Sequence, residues 1–136
     1  MATIKSFEDI LSWQKARVLC NKVGKIIDDE KLKRNYRLIG QLEGSSGSVM
    51  DNIAEGFERS GNREFIQFLC IAKGSCGEFR SQLYRCIDRK YITEPEFKEL
   101  YELALDISKL IQKFIDYLLT SDKKGAKYVK HDKLQP

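Results

Sequence analysis

The strongest constraint on this chain is a seam near its C-terminus. Phe97, Leu100, Ala104, Ile107, Ile111, Phe114 and Leu118 follow one another at alternating spacings of three and four residues. A helix with 3.6 residues per turn gathers that alternation onto one stripe, the pattern of helices packed side by side, whereas a strand would scatter it over both faces. Thr93 and Glu96 precede the seam at the spacing of a capping box, and Pro95 between them is tolerated because first-turn amides lack an intrahelical partner. Gly125 offers a stop.

The same grammar recurs upstream. Phe65, Leu69, Ala72, Cys76, Phe79, Leu83 and Cys86 share one helical face, with Asn62 or Ser60 as candidate cap. An N-terminal stretch carries Trp13, Ala16, Cys20, Val23 and Ile27, ends near Asp28, Asp29 and Glu30, and has Ser6 or Ser12 to cap it. Between these lies an unusual stretch in which Leu38, Leu42, Val49, Ile53 and Phe57 keep helical spacing while Gly40, Gly44 and Gly47 sit among them. Each glycine costs about 1 kcal/mol against alanine inside a helix. Close approach of another backbone, within the bundle or from another subunit, across a face that Ser45, Ser46 and Ser48 also keep small, is the expected compensation; a bend or a ligand groove is the alternative.

Four amphipathic stretches with short links and no strand alternation predict an all-α fold, an up-down-up-down antiparallel four-helix bundle over residues 1–121. Residues 122–136 lack an apolar stripe and hold five lysines against two aspartates, which predicts a basic, flexible tail and leaves the body close to neutral despite the overall charge of +4. Basic chemistry is therefore confined to local patches. No apolar run approaches the roughly 18 residues that span a bilayer, and no signal sequence is evident, so a cytoplasmic protein without membrane contact is expected. No two of Cys20, Cys70, Cys76 and Cys86 form a C-x-x-C pair, and the single histidine, His131, lies in the tail. Neither a metal nor another cofactor is expected.

The segment NIAEGFERSGNREF, Asn52 to Phe65, carries G-x-x-x-x-G-N-R at Gly56 to Arg63. A phosphate-binding loop needs lysine and a hydroxyl where Asn62 and Arg63 stand, and a strand before it, so the segment reads as an elbow between helices. Gly56 is expected to relax the helix end and Gly61 to permit the turn. Asp51, Glu55 and Glu58 share one side of their helix, but no histidine supports them as an acid/base or metal site. Glu78 and Gln82 are expected to join Asn52, Glu55 or Arg17 in a buried polar network that fixes helix register.

Several blocks in order resemble a known family. F-E-D-x-x-x-W-Q-x-A from Phe7, then N-I-A-E-G-F from Asn52, E-F-x-x-F-L-x-I-A-x-G-S from Glu64 and E-x-x-x-Q-L from Glu78 are similar to proteins encoded by intervening sequences inside bacterial 23S ribosomal RNA genes, also called S23 ribosomal proteins. Many relatives carry proline where Met50 stands; without it the helix here keeps an amide donor and is expected to run straighter. The resemblance implies four-helix bundles assembled as ring-like homopentamers, without catalytic activity, in which Trp13, Asn52, Glu55, Gly56, Phe57, Glu64, Phe65, Gly74, Ser75, Glu78 and Gln82 are structural. A more distant similarity is to the pentameric accessory protein of diversity-generating retroelements, which binds nucleic acid and a reverse transcriptase.

Basic residues interleaved with aromatics suit phosphate contact plus base stacking. Lys31, Lys33, Arg34 and Arg37 surround Tyr36; Lys73, Arg80 and Tyr84 share a line beside an apolar face, and Arg85 and Arg89 form another. The expected function is a non-enzymatic homo-oligomer that binds structured RNA or another nucleic acid through these residues. The alternative is a ring that presents a surface to an unknown protein and does not touch nucleic acid.

Overall fold

The structure, a computed structural model, describes residues 4–59 and 61–123. They form a one-turn 3-10 helix at Phe7–Asp9 followed by α1 (Leu11–Ile26), α2 (Glu30–Lys33), α3 (Tyr36–Glu58), α4 (Asn62–Asp88) and α5 (Glu94–Lys123), with no strand among the described residues. The basic tail expected from residue 122 and the stop at Gly125 fall almost wholly outside the described residues, as does the candidate cap Ser60.

Five α-helices replace the four expected, so the simple up-down-up-down bundle is corrected. The extra element is α2, in the charged link after α1. The Asp29 carboxylate accepts from the Lys31 amide at 2.9 Å and caps it, and Leu32, its one apolar residue, is wholly buried. One anchoring leucine and one cap suffice to wind a turn in a segment whose charges read as a loop.

α5 starts as its capping box requires: the Thr93 amide donates to Glu96 Oε1 at 2.8 Å, and the Glu96 amide donates to Thr93 Oγ1 at 3.2 Å. Its seam from Leu100 to Leu118 is buried, while Phe97 lies half-buried at the edge. α4 buries all seven of its expected seam residues. α1 is rotated slightly from expectation, burying Ser12, Ala16, Leu19, Val23 and Ile26 and leaving Trp13, Cys20 and Ile27 half-buried. Both stripes keep three-four spacing, and the larger Leu19 wins the core over Cys20. Neither serine caps α1: Ile10 holds that position, Ser6 precedes the 3-10 turn, and Ser12 is inside the helix with its hydroxyl unpaired.

Cross-contacts fix the layout. Ser45 meets Gln82 and Ser48 meets Ser75, so α3 and α4 run antiparallel. Phe65 packs edge-on against Phe114 and Tyr84 against Phe97, so α4 and α5 do too. α1 lies against α3 and α5, tied to the latter by Lys22–Glu99. Ile4 and Ile10 close the core beneath the 3-10 turn.

The glycines divide in a way the spacing did not reveal. Apart from the neighbouring backbone of α3 itself, no described atom comes within 4 Å of where a Cβ would stand on Gly40, Gly44 or Gly47; the first two are exposed and the third half-buried. The expected close packing within the bundle is therefore absent at all three. It occurs at Gly56, in the last turn of α3: a Cβ there would stand 2.6 Å from Phe68 Cβ and 2.9 Å from Phe65 Cδ1. Gly61, with φ 109°, makes the turn into α4.

Candidate nucleic-acid interface

The α3/α4 seam holds the polar residues that the sequence placed in a register-fixing network. Ser45 Oγ donates to the buried Gln82 Oε1 at 2.6 Å; Ser75 Oγ meets Ser48 Oγ at 2.9 Å, and Asn52 Nδ2 donates to Ser48 Oγ at 2.9 Å and to its carbonyl at 2.8 Å. Three of the expected members lie elsewhere. Glu55 is exposed and pairs with Arg59 at 3.1 Å, Arg59 also reaches Glu64 at 3.3 Å, Glu78 faces solvent, and Arg17 lies over the Trp13 ring at 6.0 Å. Long charged side chains leave the seam because desolvation is costly, and short serines replace them.

This arrangement holds no reaction centre that the described residues reveal. Asp51, Glu55 and Glu58 all point outward, and no group of three or more potential metal ligands exists among the described residues. Burial pushes the Cys76 thiol up to about 12 and the Cys86 thiol up to about 11, so both stay protonated at neutral pH. Burial also raises Cys20, against a hydrogen bond from Ser46. Phe57 and Phe65 meet edge-on across the elbow at 6.0 Å, and Gly74 is exposed on α4.

The basic residues fall into two groups. Lys31, Lys33, Arg34, Tyr36 and Arg37 are exposed around α2 and the start of α3, Tyr36 at 81% of its surface. Asn35 Nδ2 lies 3.5 Å from Tyr91 Oη, so this corner sits beside the α4–α5 turn, at the end of the molecule where α4 carries the exposed Arg85 and Arg89. Two clusters that are far apart in sequence thus share one end. Among them only Lys33 has a described ion pair, with Glu30 at 4.0 Å.

Lys73, Arg80 and Tyr84 lie apart from these, along the flank of α4 that faces α5. The Arg80 guanidinium carbon is 5.6 Å from the Tyr101 ring centroid, while its Nε is shut from solvent with no hydrogen-bond partner. Tyr84 is 51% exposed and set edge-on against Phe97 at 5.0 Å and Tyr101 at 5.8 Å. Hydrogen bonding with Tyr101 holds its phenol above the ordinary range. A groove of about 400 Å³ runs between the helices, lined by Lys73 and Arg80 from α4 and by Ser108 and Gln112 from α5. Sequence reasoning missed the α5 side, although Tyr101, Ser108 and Gln112 recur there at helical spacing beside the seam.

Fold and surface together define an all-α protein whose basic side chains gather on its outside in two patches. No described helix is long and apolar enough to cross a membrane. Residues 8–113 match the family described as 23S rRNA-intervening sequence protein, and the chain belongs to that family. Its fold is similar to the crystal structure of a protein of unknown function from the S23 ribosomal protein family of Bacteroides thetaiotaomicron, with a TM-score of 0.71 at 22% identity over 77% of this chain and 98% of that one. No curated protein gives a match.

Proposed function

We propose that this is a non-enzymatic cytoplasmic protein that assembles with copies of itself, as a pentamer, and binds structured RNA through its basic surface. The observation that carries the reading is the alignment of Lys73, Arg80 and Tyr84 beside an open groove, with no described carboxylate within ion-pair distance of either cation. Cations left without internal partners are free to replace the counterions of a phosphate backbone. Self-assembly is supported by Gly40, Gly44 and Gly47, whose helix cost finds no offsetting close contact among the described residues. The test is a gel shift with a ribosomal RNA fragment: binding should weaken steeply as salt rises. Charge reversal at Arg34 and Arg37 measures how much of it the α2–α3 corner carries.

A second reading has its own support. Val18, Ile71 and Leu119 each leave 45% or more of their surface exposed, as would suit a scaffold that meets a protein partner and leaves nucleic acid alone. Absence of RNA binding at low salt would select it.

A further inference from the structure

We infer that the α4/α5 groove seats the phosphate backbone of an unpaired RNA strand, with Arg80 and Lys73 on phosphate and Tyr84 stacking on a base. This rests on the RNA-binding reading above and specifies its site and strand state.

Arg80 is held in place before any ligand arrives. Its guanidinium lies over the Tyr101 ring, so little side-chain freedom remains to be lost on binding, yet its Nε has no partner and no described carboxylate neutralises it. Because Nε is shut from solvent, contact falls to the terminal nitrogens of the guanidinium, which have no described carboxylate partner and match a ligand that supplies oxygens. Lys73 lies two turns away on the same flank, roughly 10 Å along the helix axis. Between them Gly74 is exposed and its missing side chain leaves open space. From α5, Ser108 adds a hydroxyl and Gln112 an amide, the latter donating to Asp116 at 2.9 Å.

Tyr84 gives the strand its character. Half its surface is open, and its edge contacts with Phe97 and Tyr101 fix the plane of the ring. Beyond it lies a second cavity, of about 600 Å³, walled by Tyr84, Ile87, Phe97 and Pro95 and flanked by two acids, Asp88 and Glu94, and one cation, Lys98. The acids outnumber the lysine, so phosphate is less favoured here than in the groove, and the aromatic and proline surfaces are left for a base. Cations on one side of Tyr84 and acids with apolar walls on the other set a polarity of backbone then base. Paired bases in an A-form helix cannot offer their faces to such a ring, so the groove selects unpaired segments.

The experiment is fluorescence anisotropy on the full-length native assembly with a labelled single-stranded RNA of about ten nucleotides, and with the same strand annealed to its complement. The single strand should bind more tightly. Arg80→Gln should weaken it at least about tenfold and reduce the slope of log affinity against log salt by about one, while Arg80→Lys retains the slope. Tyr84→Leu, which keeps the apolar packing, should cost about fivefold or more with the slope unchanged. Circular dichroism checks that each variant is folded at the assay temperature, and Lys73→Gln, with the same expected loss of slope, replaces Arg80→Gln if that variant is not. Wild-type protein that binds RNA while Arg80→Gln and Lys73→Gln match it would overturn the groove and leave the binding itself to the α2–α3 corner. Tighter binding of the duplex would overturn the selection for unpaired strand. No binding of either RNA at low salt would overturn the groove and the wider RNA reading together.

Discussion

The two flanks of α4 treat polar residues in opposite ways. Toward α3, Gln82 and Ser75 are buried and each meets a serine of the facing helix, with Asn52 completing the set. Toward α5, Lys73 and Arg80 meet no carboxylate among the described residues, and Arg80 Nε is buried without a partner. A polar group that its own chain satisfies is spent on register, because its bond is lost if the helices slide. One that the chain leaves unmet keeps its chemistry for something else. The α3/α4 seam is thus closed, and the α4/α5 groove is open.

Substitutions can sharpen that contrast. The largest effect on stability is expected at Gly56→Ala. The new Cβ meets Phe68 Cβ, which is rooted on the α4 backbone and cannot swing aside, so the helices must part at a cost of about 1–3 kcal/mol in thermal or urea unfolding. A neutral result would mean that the seam is looser than its contacts indicate. Gln82→Leu should cost about 1–2 kcal/mol by removing the short bond and leaving Ser45 only the Leu42 carbonyl at 3.4 Å, and adding Ser45→Ala should recover part of that. Simple additivity of the two would deny their coupling. At the exposed Gly44 the sign reverses: an added Cβ has open space among the described residues and leucine gains up to about 1 kcal/mol in helix propensity, so Gly44→Leu should fold. Light scattering should then show a smaller assembly, and an unchanged mass would remove the glycine stripe from the subunit contact.

The smallest effect is a pH dependence at the contact between α1 and α5. The hydrogen bond from Lys22 holds the exposed Glu99 carboxyl below the ordinary range of a glutamate. A carboxyl whose folded pKa is lowered contributes stability that is present above its unfolded value and is lost as pH falls through the folded one. Glu99→Gln should therefore slightly flatten the acid limb of a stability curve, and leave neutral pH almost unchanged.

Much of the fold was legible because apolar spacing carries it. The α4 and α5 seams and the Thr93–Glu96 cap could be read residue by residue, since burial and capping act within a few positions of the chain. α2 was not legible, because a four-residue turn held by Leu32 has no period to detect. The glycines misled for a related reason. Composition shows that Gly40, Gly44 and Gly56 are small, but only the facing helix shows that Phe65 and Phe68 lean on the last of them. In the candidate interface, Lys73, Arg80 and Tyr84 could be aligned from α4 alone, whereas Tyr101 beneath Arg80, Ser108 and Gln112 come from a second helix whose register the sequence does not state.

The most direct test measures RNA affinity and thermal stability side by side for Arg80→Gln and Gln82→Leu, residues two positions apart on opposite flanks of α4. We expect the two readouts to separate: Arg80→Gln keeps most of its stability and loses at least about tenfold in affinity, while Gln82→Leu melts earlier but, when folded, binds as the wild type does. Affinity that falls in step with stability in both variants, or in neither, would contradict a closed seam on one side and an open groove on the other.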